Sequence, residues 1–145
     1  RVFRSDSDSG VGNMALDEAG RVKLKPDLTW WEGHSCVFVG DAKYKNITGD
    51  RIPNADLYQM LAYATALDLP GGLLIYAEGE ADAATYRVLH AGKRLEVAAL
   101  DLVGRLDDVL VRVEQLAKQI VALRDEARIG AFELVGEKGA ASVGH

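Results

Sequence analysis

The sequence predicts an α/β domain with a mixed central sheet flanked by helices. Three observations carry this. Apolar, β-favouring runs recur at residues 22–31, 37–45, 72–76, 84–90 and 94–100. A helical segment, residues 54–67, separates the second run from the third. A long stretch from about residue 102 to 128 repeats leucine and valine at helical spacing.

Taken in order, Val2-Phe3 is a short strand candidate, and residues 5–12 read as a Ser/Asp/Gly-rich loop. Asp6 and Asp8 in that loop do not complete a calcium-loop pattern, because the terminal Glu is missing at the required distance. Residues 22–31 form the first full strand, and residues 32–35 read as a turn into the second, so the two make a hairpin. Val37-Phe38-Val39 runs into Gly40-Asp41-Ala42-Lys43-Tyr44-Lys45, and residues 46–53 read as a loop. Asn54 is the expected N-cap of the first helix, and Pro70-Gly71-Gly72 lies beyond its end. The run at 72–76 is a buried strand, and residues 91–93 are the turn between two more. The second helix presents Leu106, Val109, Leu110, Val113, Leu116, Ile120 and Leu123 as a core-packing stripe. Residues 1–135 make one domain, and the Gly/Ala-rich residues 136–145 read as a flexible tail.

The chemistry concentrates on the hairpin. Side chains alternate along a strand, so Asp41, Lys43 and Lys45 share one face while Ala42 and Tyr44 share the other. Asp41 and Lys43 then lie roughly 7 Å apart along the strand. Asp27 is six residues before Gly33 and Asp41 is seven after His34, which places the two carboxylates close together across the hairpin. Two such carboxylates repel unless a cation lies between them, and hard oxygen ligands suit Mg²⁺, with Mn²⁺ as a substitute. The cation would acidify a water and offset charge on a phosphodiester. Lys43 would either orient that water or stabilise the transition state, and the Ala42 carbonyl is a further candidate ligand. Each half of this pattern also has a plain reading, a Pro-Asp turn and a solvated Asp-x-Lys strand face.

On the first helix Gln59 and Tyr63 are i and i+4 and share a face, while Leu57, Leu61 and Ala64 form a separate apolar stripe. A cleft-facing amide and hydroxyl need polar partners, which a metal-site carboxylate or a nucleic-acid phosphate would supply. The alternative is a surface glutamine and a core tyrosine.

These residues carry a resemblance. Asp27, then Asp41-Ala42-Lys43, then Gln59-Met60-Leu61-Ala62-Tyr63 is similar to the PD-(D/E)xK nuclease superfamily, and the Gln-x-x-x-Tyr helix to its RecB-like branch. Lys-Pro-Asp-Leu at 25–28, Gly-Asp-Ala-Lys-Tyr-Lys at 40–45, Asp-Leu-Tyr-Gln-Met-Leu-Ala-Tyr-Ala at 56–64 and Gly-Leu-Leu-Ile-Tyr at 72–76 resemble the McrC family, the nuclease subunit of McrBC modification-dependent restriction systems. The resemblance runs from Arg21 to about Leu123. It implies a restriction-endonuclease-like fold and Mg²⁺-dependent DNA cleavage. Asp27, Asp41 and the Ala42 carbonyl would bind the metal, Lys43 would be the catalytic lysine, and Gln59 and Tyr63 accessory residues. It further implies a partner, a GTP-driven AAA+ motor of McrB type that recognises modified DNA. Two features depart from the pattern. Tyr76 is followed by Ala77-Glu78 where the family often has proline, and the upstream helix that usually adds an acidic residue is not in the sequence, so the chain reads as part of a longer protein.

Composition narrows the setting. The length of 145 residues fits one domain, and the single cysteine, Cys36, allows no intrachain disulfide and reads as a buried small hydrophobe. His34, His90 and His145 are too far apart in sequence to propose a zinc site. No apolar run is long enough for a membrane span and no signal-peptide pattern is present, so the expected location is cytoplasmic. The net charge of −5 argues against tight stand-alone DNA binding. Local basic groups remain. Arg21, Lys23 and Lys25 alternate toward Asp27, and Lys43, Lys45 and Arg51 follow; Lys23, Lys25, Lys45 and Arg51 are the candidate nucleic-acid contacts, against the alternative of a solvated strand face. Trp30 and Trp31 either stack on bases or pack in the core. Two other functions stay open, a RecB-like nuclease of repair or another defence system, and a catalytically silent scaffold or DNA clamp.

Overall fold

The computed structural model describes residues 2–5, 14–49 and 51–143, with side chains described over 14–47, 51–77 and 82–130. The loop read at residues 5–12, with its Asp6 and Asp8, falls almost wholly outside the described residues. Among the described residues, six strands form one mixed sheet in the order β1-β2-β3-β4-β6-β5. They are β1 (Val2–Ser5), β2 (Leu28–Glu32), β3 (Ser35–Gly49), β4 (Gly71–Ala81), β5 (Ala84–Arg87) and β6 (Arg94–Ala99). The helices are α1 (Asn54–Ala66) and α2 (Leu106–Val143). β1-β2-β3 is an antiparallel meander, β4 lies parallel to both β3 and β6, and β5 returns antiparallel along β6.

The helices cover opposite faces of the sheet, as strand alternation dictates. Val37, Val39, Leu74, Tyr76, Leu95 and Val97 are buried in one core with Met60, Tyr63 and Ala64 of α1. Phe38, Leu73, Ile75 and Ala98, which alternate with them, pack against Leu123, with Leu116 and Ile120 partly buried alongside.

Several element boundaries differ from expectation. The first full strand starts at Leu28, not Val22. Upstream, Lys23 makes an isolated bridge to Ala15, and a turn held by the Asp17 carboxylate, which accepts from the backbone N–H groups of Arg21 and Val22, precedes it. Pro26 has no N–H to give a ladder, and it is fully buried. The expected strand face of Arg21, Lys23, Lys25 and Asp27 is therefore not part of the sheet. β3 runs on to Gly49 through residues read as loop, because β4 also extends, pairing Asn46 with Glu78 and Gly49 with Ala81. Buried Ile47 anchors that extension.

The N-cap of α1 is Pro53, not Asn54. Its extended backbone (φ −58°, ψ 131°) leads into the helix with no side-chain cap bond. The turn between β5 and β6 is wider than residues 91–93, since His90 and Gly92 both take left-handed backbone and the Val88 N–H reaches the Lys93 carbonyl. α2 starts at Leu106 after a loop in which the Asp101 carboxylate accepts from the Val103 N–H, and its backbone is helical to Val143.

Candidate active site

The site is built where β2 begins and β3 continues past it. The pairing of Leu28 with Gly40 puts Asp27 opposite Asp41 one step beyond the last ladder pair. There the two side chains replace backbone acceptors. The Asp27 N–H donates to Asp41 Oδ1 at 3.0 Å, and the Ala42 N–H donates to Asp27 Oδ2 at 2.9 Å. Each carboxylate is thus fixed by the backbone of the opposite strand. The unequal distances from the turn, six and seven residues, are reconciled by a bulge. Trp30 pairs with Phe38 but Trp31 pairs with Cys36, so β3 has one extra residue near Val37. Without that bulge Asp27 would oppose Gly40, and Asp41 would fall out of register.

Lys43 lies on the same face as Asp41. Its Nζ is 2.7 Å from Asp41 Oδ2 and donates to Gln59 Oε1 at 2.5 Å. Gln59 comes from the first half of α1, and Tyr63 lies one turn on. The Tyr63 hydroxyl donates to the Lys25 carbonyl at 3.3 Å, tying α1 to the segment that carries Asp27. Burial, followed by the charges of Asp41 and Asp27, pushes the Tyr63 phenol up to about 12, so it remains a proton donor. Asp27, Asp41, Ala42, Lys43, Gln59 and Tyr63 are therefore brought together.

The basic residues are not gathered in the same way. Lys23, Lys25 and Arg51 are exposed. Lys45 is half exposed, and its ammonium is held by Asp56 Oδ1 at 2.6 Å. Trp30 packs against both cores and lies under the Arg124 guanidinium, 4.6 Å from the ring centroid, whereas the Trp31 indole N–H donates to Thr29. Cys36 is partly buried and donates to the Phe38 carbonyl, with burial pushing its thiol up to about 11.

Asp56 is the residue the sequence reading missed. It is only 3% exposed, and its Oδ2 accepts from the Tyr76 hydroxyl at 2.8 Å while Oδ1 faces Lys45 and, at 4.0 Å, Lys43. Burial pushes this carboxyl up, but hydrogen bonds from Lys45 and Tyr76 and the charges of Lys43 and Lys45 outweigh it and hold Asp56 below the usual carboxylate range. The available signal was its position, i, i+3 and i+7 with Gln59 and Tyr63 on one helix face.

Over residues 5–77 the chain matches the family described as the McrBC 5-methylcytosine restriction system component. That span is half of the 145 residues and contains every residue of the site. The chain belongs to the McrBC component family. The match agrees with the McrC likeness of the motifs and sets the chain in modification-dependent restriction. No match is found among curated proteins. Among the described residues, no group of three or more His, Cys, Asp or Glu is placed to hold a metal ion, and no helix is long and apolar enough to cross a membrane.

Proposed function

We propose that this chain is the DNA-cleaving domain of a McrBC-like modification-dependent restriction complex, built on a PD-(D/E)xK core and hydrolysing phosphodiester bonds with Mg²⁺ or Mn²⁺. The observation that carries the reading is the reciprocal lock of Asp27 and Asp41 with Lys43 beside it. Two interlocked carboxylates offer only hard oxygen donors at one point, which fits Mg²⁺, an ion commonly held by one or two carboxylates with waters and substrate phosphates completing its shell. Asp27, Asp41 and the Ala42 carbonyl would hold it. When bound, the cation supplies a water acidic enough to attack near neutral pH and offsets charge on the phosphate.

The remaining roles belong to the chain itself. Lys43, delivered by strand alternation and steadied by Gln59, faces the scissile phosphate and orients the nucleophile or stabilises the charge that develops. Tyr63 keeps the Lys25–Asp27 segment against α1, so that Asp27 stays in register. Lys23, Lys25 and Arg51, all exposed, guide the phosphate backbone; Lys45 contributes from its half-exposed pair with Asp56. The negative net charge leaves most of the DNA grip, and recognition of the modified base, to an AAA+ GTPase motor of McrB type.

The test is cleavage of methylated and unmethylated plasmid by the full-length protein with its motor partner, nucleotide and Mg²⁺, each against Asp41→Ala. Cleavage of only the methylated plasmid, lost in the variant, is the expected result. Cleavage blind to methylation would favour a RecB-like nuclease, and no cleavage at all would favour the silent scaffold.

A further inference from the structure

β3 presents two ammonium groups on one face, two residues apart. Lys43 is largely buried, with its side chain 15% exposed, and Lys45 is half exposed at 51%. Like charges this close in a partly dry setting repel with little screening. Lys43 nevertheless stays within hydrogen-bonding distance of both Asp41 and Gln59. The compensating charge comes from α1. Asp56 faces both ammoniums through the same oxygen, 2.6 Å from Lys45 and 4.0 Å from Lys43. Its other oxygen is fixed by Tyr76, the residue that pairs with Lys43 across the β3–β4 ladder. A buried carboxylate anchored at both oxygens cannot swing away to solvent.

We propose that Asp56 is a positioning residue: its carboxylate, set between Lys43 and Lys45 and fixed by Tyr76, offsets their mutual repulsion and keeps Lys43 on Asp41 and Gln59. Asp56 is buried and faces the Lys43 ammonium, so its effect on cleavage passes through Lys43. The kinetic consequence rests on the nuclease reading above. The placement of Lys43 does not, and can be read without DNA or metal.

The experiment follows the Lys43 ammonium of the ¹⁵N-labelled full-length chain by NMR, where hydrogen bonding slows exchange of its protons. It also follows kcat and KM for methylated DNA with the motor partner and Mg²⁺. Asp56→Asn keeps the shape and removes the charge. It is expected to lose the slowly exchanging Lys43 signal and to lower kcat on the order of 100-fold, the scale of a misplaced reacting group, without raising KM. Adding Lys45→Met removes the repulsion and is expected to restore the slowly exchanging Lys43 signal. A merely structural role for Asp56 gives no such recovery, and failure of the double variant to recover would overturn the proposal. So would an unchanged signal and kcat in Asp56→Asn. Should Asp56→Asn not fold, Lys45→Met alone decides: Lys43 protection retained or strengthened supports the proposal, and its loss overturns it. A chain that cleaves no DNA yet shows the predicted pattern of Lys43 signals would refute the nuclease reading and leave the role of Asp56 standing.

Discussion

Asp41 carries three obligations with one carboxylate. It accepts the Asp27 N–H, pairs with Lys43 and is the proposed metal ligand, all while 4% exposed. Asp41→Ala is expected to abolish metal-dependent cleavage. It is also expected to lower stability by ~1–3 kcal/mol, because the Asp27 N–H and the Lys43 ammonium lose their partner. Asp41→Asn keeps an acceptor for Asp27 and should melt closer to the native chain while remaining inactive; urea unfolding beside a cleavage assay separates the two effects. If either variant cuts at the native rate, the site is misassigned.

Tyr63 gives a pH signature. Its folded-state value, about 12, lies above the ordinary 10.0, so between the two the folded chain holds a proton that the unfolded chain has released. The resulting stabilisation is fully present below pH 10 and is lost as pH rises toward 12. Stability measured across that window should fall, and Tyr63→Phe should flatten part of the fall. Tyr76, also raised, supplies another part. At neutral pH Tyr63→Phe is expected to reduce cleavage less than Asp41→Ala does, since it removes only the bond to the Lys25 carbonyl.

At the scale of elements, α2 separates buried from uncovered positions along one stripe. Leu123 is 7% exposed and packs with Phe38, Leu73 and Ile75, whereas Leu110, on the same stripe, is 55% exposed. Leu123→Ala should cost ~2–5 kcal/mol and Leu110→Ala no more than ~0.5 kcal/mol, as urea midpoints would show. The start of β4 has no such tolerance. A Cβ on Gly71 would fall 1.9 Å from the Arg94 carbonyl oxygen, so the backbone itself must move. Gly71→Ala should destabilise the chain by about 3 kcal/mol. At Gly72 the neighbour is Met60, a flexible side chain, so its alanine variant should lose less.

These elements also mark how far the sequence could be read. Apolar runs located β3, β4 and α1, because each needs only local alternation or helical spacing. The start of β2 was misplaced because Val22 to Asp27 alternates like a strand while Pro26 withholds the ladder bond. The length of β3 was missed because residues 46–49 pair only through their parallel neighbour β4, a partner that local pattern does not reveal. Asn54 looked like a cap by residue type, but the chain entered the helix one residue earlier, at Pro53.

For the whole molecule, the sheet divides two cores, and the candidate site opens where β2 begins beside β3. With a net charge of −5, the chain alone should bind DNA no tighter than ~10⁻⁶ M at physiological salt, and adding the motor partner should tighten binding. A fluorescence anisotropy titration over a salt series checks this; tight binding by the isolated chain would contradict the division of labour proposed between the two proteins.

The sequence by itself determined the α/β pattern, the shared face of Asp41, Lys43 and Lys45, and the Gln59–Tyr63 pair, because strand and helix periods are local properties of the backbone. Only the tertiary structure decided the one-residue bulge that sets Asp27 against Asp41, and the insertion of Asp56 between two lysines. Both depend on which strand and helix pack together, and that is settled by burying two apolar faces of one sheet, not by any short stretch of residues.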